Sequence, residues 1–169
     1  MDDLKALVAI YVFGLRVQLK AGDDKRDAGL LTPDTIQRDN NIRYEKIDKL
    51  QVLDVYRPKS LINKNKNLPV IVSVHGGAWV YGTKENYQFY CMSLSELGFA
   101  VVNFSYRLGP EYKYPSQIED LDSVFKWLYA NKDKYNFDVN NVFALGDSAG
   151  ANILSIYCWL LQMKNIRIQ

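Results

Sequence analysis

Histidine is nearly absent from this chain of 169 residues: His75 is the only one. No His/Cys/Asp cluster has metal-ligand spacing, so no metal and no organic cofactor is implied. Cysteine is scarce as well. Cys91 and Cys158 both fall inside helical apolar patterns, which predicts two buried free thiols and suits a reducing compartment. An excess of one charge is missing too. The 21 basic and 19 acidic residues are intermixed and leave a net charge of +2, so no nucleic-acid stripe or anionic-membrane anchor is formed. Long apolar runs are also lacking. Ala6 to Leu15 is too short to span a bilayer, and Asp2 and Asp3 precede it where a secretory signal needs basic residues. Leu4, Leu7, Val8, Tyr11, Leu15 and Leu19 recur at helical spacing, which predicts an amphipathic helix docked on the protein. These absences lead to the expectation of a cytoplasmic protein.

What is present is ordinary for a globular domain: 48% apolar and 24% charged residues, in a chain long enough for one core. Residues 21–41 are polar, carry Gly22, Gly29 and Pro33, and read as a linking loop. Ile42 to Ile47 and Leu50 to Tyr56 alternate like the strands of a hairpin. Leu68 to Val74, Phe99 to Tyr106 and Asn141 to Leu145 are nearly continuous in apolar character, the pattern of strands covered on both faces. Between them lie helical patterns. The first, through Tyr87, Tyr90, Cys91, Leu94 and Leu97, stops at Gly98. The second opens with Ser116 and Glu119 in capping-box spacing and shows Ile118, Leu121, Val124, Phe125 and Leu128 on one face. A third runs from Ala149 to about Met163. Alternating strands and helices of this kind predict an α/β architecture, a mostly parallel sheet flanked by helices.

Two glycine-rich turns carry the chemistry. Gly146-Asp147-Ser148-Ala149-Gly150 fits G-x-S-x-G and stands where a buried strand ends and a helix begins. A serine on such a strained turn is a candidate nucleophile, and the flanking glycines avoid clashes with strand and helix. His75-Gly76-Gly77 follows another buried strand. Its backbone N–H groups can face a developing oxyanion, which makes Gly76 and Gly77 candidate donors beside the amide of Ala149, the residue after the serine. Trp79, Tyr81, Tyr87, Phe89 and Tyr90 follow closely; they fit an aromatic acyl pocket or simply core.

HGGAWVYG, YRLGPEYKYPSQIED and GDSAGAN resemble, in order and spacing, the hormone-sensitive-lipase-like carboxylesterases of the α/β-hydrolase superfamily, whose usual forms are HGG-[GA]-W, YRLAPE and GDSAGGN. LDVYRP, at Leu53 to Pro58, is similar to the strand before the HGG loop in acetyl-esterase-like members. The resemblance covers Ile42 to Met163. It implies an α/β-hydrolase fold and a small-molecule ester substrate. It also implies Ser148 as nucleophile and Gly76, Gly77 and Ala149 as the oxyanion hole. Residues 1–41 become a cap-like helix and loop, and 42–169 the core of a single domain.

One departure stands out. A serine needs a base, and the base a carboxylate to orient it; in this superfamily both follow the serine. The 21 residues after Ser148 contain no Asp, Glu or His. His75 sits in the HGG loop, where the resemblance makes it a shaper of the turn, and Glu111 and Asp147 have no histidine to orient and read as structural. The expectation is therefore the N-terminal part of an esterase, truncated after the helix that follows the serine. Its sheet would end in an open strand that pairs with a second copy or a partner. The alternative is a hydrolase-like binding or interaction module without turnover.

Overall fold

The computed structural model describes residues 2–62, 64 and 66–166. Helix α1 spans Asp2–Asp27 and is followed by β1 (Ile36–Arg43) and β2 (Val52–Pro58). A short helix α2 (Lys59–Ile62) leads to β3 (Leu68–Val74). After a 3-10 turn at Lys84–Tyr87 come α3 (Gln88–Glu96), β4 (Ala100–Phe104), α4 (Ser116–Ala130), α5 (Lys132–Tyr135), β5 (Phe137–Gly146) and α6 (Ala149–Ile166). The five strands form one sheet in the order β1-β2-β4-β3-β5. β1 and β2 pair antiparallel, as do β2 and β4, while β3 runs parallel to both β4 and β5. Only β2 therefore opposes the common strand direction.

Period-2 alternation builds two cores, because successive side chains of a strand leave on opposite faces. Val70, Val72 and Val74 of β3 and Ala100, Val102 and Phe104 of β4 meet Ile118, Leu121, Val124 and Leu128 of α4 and Ile153 of α6. Ile71 and Val101 point the other way and meet Cys91 and Met92 of α3. Each fully buried side chain of this size contributes roughly 1.5–3 kcal/mol, so the central strands need both helical layers. Gly98, at φ +102°, ends α3 in the expected manner, its N–H bonded to the Ser95 carbonyl.

The structure corrects several expectations. β1 begins at Ile36, inside the stretch read as loop. Its sequence IQRDNNIR shows no apolar alternation because only Ile36 is fully buried and the other positions are half-buried or exposed. The segment between β1 and β2 is a turn held by buried Gln51, whose side-chain Oε1 accepts from the amides of Ile47 and Asp48. The capping box of α4 does not form. Pro115 occupies the N-cap, the Ser116 hydroxyl is buried without a partner, and Glu119 turns to Arg107 at 2.9 Å. Cys91 is buried but Cys158 is exposed, on the outer side of α6. β5 is not covered on both faces; it is the sheet's edge, and Phe143 is 54% exposed.

α1 also differs from its expectation. It is longer, and only part of its apolar stripe docks: Leu4, Leu7, Val8 and Tyr11 are exposed, Leu15 and Leu19 are half-buried, and Val12, outside the stripe, is the buried residue. Polar contacts from the second half of the helix hold it instead. Arg16 donates to the carbonyls of Val80 and Gly109 and makes a two-pronged pair with Glu111 at 2.8 Å. Asp23 accepts from the Tyr81 hydroxyl at 2.5 Å. No helix among the described residues is long and apolar enough to cross a membrane.

Candidate active site

β3 and β5 are parallel neighbours, so their C-terminal ends lie side by side, with Val74 in register with Gly146. The two glycine-rich turns leave from those ends. Ser148 occupies the bend between β5 and α6 at φ +49°. A side-chain-bearing residue in this left-handed region costs of order 1–3 kcal/mol, and such strain collects at functional positions. The Ser148 side chain faces solvent. The Asp147 carbonyl accepts from the Gly150 amide at 2.7 Å, and the Ser148 carbonyl accepts from Asn152 at 3.1 Å, which starts α6.

The glycines are dictated by contact. A Cβ on Gly150 would lie 2.1 Å from the Val74 carbonyl oxygen, and one on Gly146 2.5 Å from the Gly150 carbonyl carbon. The bend is thus pressed onto the end of β3. On the facing turn, a Cβ on Gly76 would stand 3.0 Å from Asp147 Oδ2, and one on Gly77 only 2.0 Å from the Tyr81 carbonyl oxygen. Gly77 adopts φ +122°, and Ala78 and Trp79 follow at +51° and +62°. The two turns touch, as a nucleophile and its oxyanion donors require. Among the described residues, no acceptor is bonded to the amides of Gly77 or Ala149. The Gly76 amide faces the Tyr87 hydroxyl.

Sequence reasoning did not find Tyr87's part. Its hydroxyl donates to Asp147 Oδ2 at 2.5 Å and so ties the 3-10 turn after the HGG loop to the serine bend. Burial, then Asp147, raises the phenol to about 12, so it remains a donor at neutral pH. A contact across 60 residues has no local signal. Phe89 and Tyr90 join Tyr87, Leu145, Gly146 and Asp147 around a cleft of ≈ 490 Å³ beside the bend. Tyr81 instead lines a larger cavity of ≈ 1100 Å³ between α1 and the loops, and exposed Trp79 lines neither space.

His75 is fully buried, stacked on Tyr106 with ring centroids 4.0 Å apart. Its Nδ1 lies 2.7 Å from the Gly76 carbonyl, which makes that nitrogen the protonated one. Nε2 is buried and without a partner. Burial lowers the imidazole to about 4, so it is neutral at physiological pH and turns the HGG loop rather than serving the serine. Glu111 is held below the ordinary carboxylate range by its hydrogen bonds from Arg16, and its contact anchors α1. No cluster of metal-binding side chains occurs among the described residues.

The BD-FAE family model matches residues 53–167. The chain belongs to the BD-FAE family. This match starts at β2 and takes in both turns. Among curated relatives, the putative alpha/beta hydrolase R526 of Acanthamoeba polyphaga mimivirus is 33% identical over 118 residues, 69% of this chain and 33% of its own length. Carboxylesterase NlhH of Mycobacterium tuberculosis is 30% identical over 131 residues, 77% of this chain and 40% of its own. Among solved structures, Esterase B from Lactobacillus rhamnosis superposes with a TM-score of 0.85 at 32% identity, covering 93% of this chain and 49% of that one. This BD-FAE chain has the α/β-hydrolase fold, and it spans less than half the length of these relatives.

Proposed function

We propose that this chain carries the nucleophile and oxyanion-binding part of a serine carboxylic-ester hydrolase. The observation behind this reading is Ser148 at φ +49° between β5 and α6, its bend pressed against the HGG turn. Ser148 Oγ attacks the ester carbonyl, and the carbonyl oxygen becomes an oxyanion. The amides of Gly76, Gly77 and Ala149 donate to it. Tyr87 competes for the Gly76 amide, which makes Gly77 and Ala149 the stronger pair. Each such donor is worth roughly 3 kcal/mol of transition-state stabilisation. The alcohol leaves with a proton from the base, and water then hydrolyses the acyl-serine. His75 is buried beneath the turn, so the base and its carboxylate come from residues outside these 169. The cleft lined by Phe89, Tyr90 and Leu145 takes the substrate's apolar arm, lipase-like or shorter. The buried, unpaired thiol of Cys91 fits a reducing, cytoplasmic setting.

The test is p-nitrophenyl acetate hydrolysis by the chain alone and by a form extended along its own reading frame. Turnover only in the extended form, lost in Ser148→Ala, is the expected result. Equal turnover by Ser148→Ala would overturn the assignment. A second reading, a binding module without turnover, is favoured by the inaccessible His75; inactivity of both forms would support it.

A further inference from the structure

The HGG turn closes on itself through its backbone. The Gly77 carbonyl accepts from the amides of Val80 at 3.1 Å and Tyr81 at 2.9 Å. Gly77, Ala78 and Trp79 all take positive φ, and two of the three carry side chains. Strain of this kind persists only where the surroundings over-determine the backbone. Here part of the surroundings comes from α1, 58 to 64 residues away in sequence. Arg16 Nε donates to the Val80 carbonyl at 2.7 Å. Its Nη2 donates to the carbonyl of Gly109, whose own amide donates to the Trp79 carbonyl. Two helical turns on, Asp23 Oδ2 accepts from both the Tyr81 hydroxyl, at 2.5 Å, and Asn86 Nδ2. Arg26 pairs with Asp23 at 2.8 Å and donates to the Asn86 carbonyl at 2.6 Å. One carboxylate thus gathers Tyr81, which closes on Gly77, and Asn86, which precedes Tyr87. Burial, then the bond to Asp23, pushes the Tyr81 phenol up to about 12, so it stays a donor at neutral pH.

We propose that α1 is a clasp for the oxyanion turn, with Asp23 and Arg16 as positioning residues that hold the Gly77 amide in place. Asp23 acts through Tyr81 and Asn86, and Arg16 through the Val80 carbonyl. A donor must be fixed before charge develops on the substrate, and a small displacement of it carries a large cost in rate. Both contacts fall in the second half of α1, the half that meets the body of the molecule. The inference rests on the assignment of Gly77 as an oxyanion donor.

The test has a structural arm and a kinetic arm. Amide hydrogen exchange on the 169-residue chain reads the turn through Val80 and Tyr81, whose amides close it. In Asp23→Ala both should exchange at least about fivefold faster while the amides of β3 stay unchanged, which separates local opening from unfolding. The kinetic arm uses p-nitrophenyl acetate and the form extended along its own reading frame. Asp23→Ala should lower kcat about tenfold or more with KM within about twofold, because alignment in the transition state is lost rather than ground-state binding. Asp23→Asn keeps an acceptor for the Tyr81 hydroxyl and should recover part of the loss. Tyr81→Phe should lower kcat as well, and adding it to Asp23→Ala should lower it little further, since the two share one contact. Alanine at position 23 favours the helix, so a weakened α1 does not account for a loss. Lys20→Ala, whose partner Asp24 lies on α1 itself, should alter neither readout. Unchanged exchange at Val80 and Tyr81, a loss confined to KM, or an equal loss in Lys20→Ala would overturn the proposal. An inactive parent in the extended form would defeat the esterase reading, and the exchange result then decides by itself whether α1 holds the turn.

Discussion

The two glycine-rich turns at the top of the sheet follow neighbouring parallel strands, yet they are built oppositely. The HGG turn is closed: His75 is buried, stacked on Tyr106, bonded to the Gly76 carbonyl, and crowded by Gly82, where a Cβ would lie 2.5 Å from Nδ1. The serine turn is open, its hydroxyl in solvent and its strand on the sheet's edge. Both take positive φ, but one uses glycine at +122° where the other keeps serine at +49°. Under the proposed function, the difference separates two jobs. Donors must be fixed before charge develops, whereas a nucleophile must be reachable.

The largest effect is expected from Gly77→Ala or Gly150→Ala, because the new Cβ would meet backbone oxygen at 2.0 or 2.1 Å. Each should cost about 3 kcal/mol in chemical denaturation, as overpacking against a rigid neighbour does. If Gly150→Ala unfolds like the parent, the serine bend is not pressed onto the end of β3; if Gly77→Ala does, the HGG turn is not closed against the Tyr81 carbonyl.

A pH effect of similar size belongs to the closed turn alone. His75 is held at about 4, against an ordinary 6.5, by burial. Between those values the unfolded chain binds more protons than the folded one, so stability rises with pH across the window and is lost as pH falls from 6.5 to 4. The full swing is about 3 kcal/mol. His75→Gln should flatten this part of the stability profile. A profile unchanged by that substitution would mean the ring is hydrated.

The open turn predicts a gain instead. Ser148→Gly relieves the left-handed strain and should raise stability by about 1 kcal/mol in the same denaturation assay. A loss would show that the bend is unstrained. The smallest effect is Tyr87→Phe, which removes the hydrogen bond to a carboxylate that faces solvent and the contact with the Gly76 amide. About 1 kcal/mol or less is expected, and in the extended form it should lower kcat more than raise KM, since it loosens the alignment of the turns rather than a substrate contact.

How far the sequence reveals this molecule depends on where information is local. β3, β4, α4 and the serine bend are legible because their apolar periods and glycines record contacts within a few residues. β1 is not, because a strand such as IQRDNNIR with a single fully buried residue needs little apolar alternation. The capping signal at Ser116 misleads because Arg107, itself bonded to buried Asp120 at 2.9 Å, captures Glu119. The docking of α1 misleads in the same way: its stripe is visible, but Arg16 and Asp23 make the contacts. At the site, Ser148 and the glycines can be read from their pattern. Tyr87's bond to Asp147, and the burial that disqualifies His75, exist only in three dimensions.

The central claim is that the Ser148 hydroxyl meets an electrophile beside amides held ready on the HGG turn. Mass spectrometry of the extended chain after treatment with a fluorophosphonate tests it most directly. One adduct is predicted, on Ser148, formed much more slowly in the 169-residue chain and absent in Ser148→Ala. An adduct on any other residue, or labelling that survives Ser148→Ala, would contradict it.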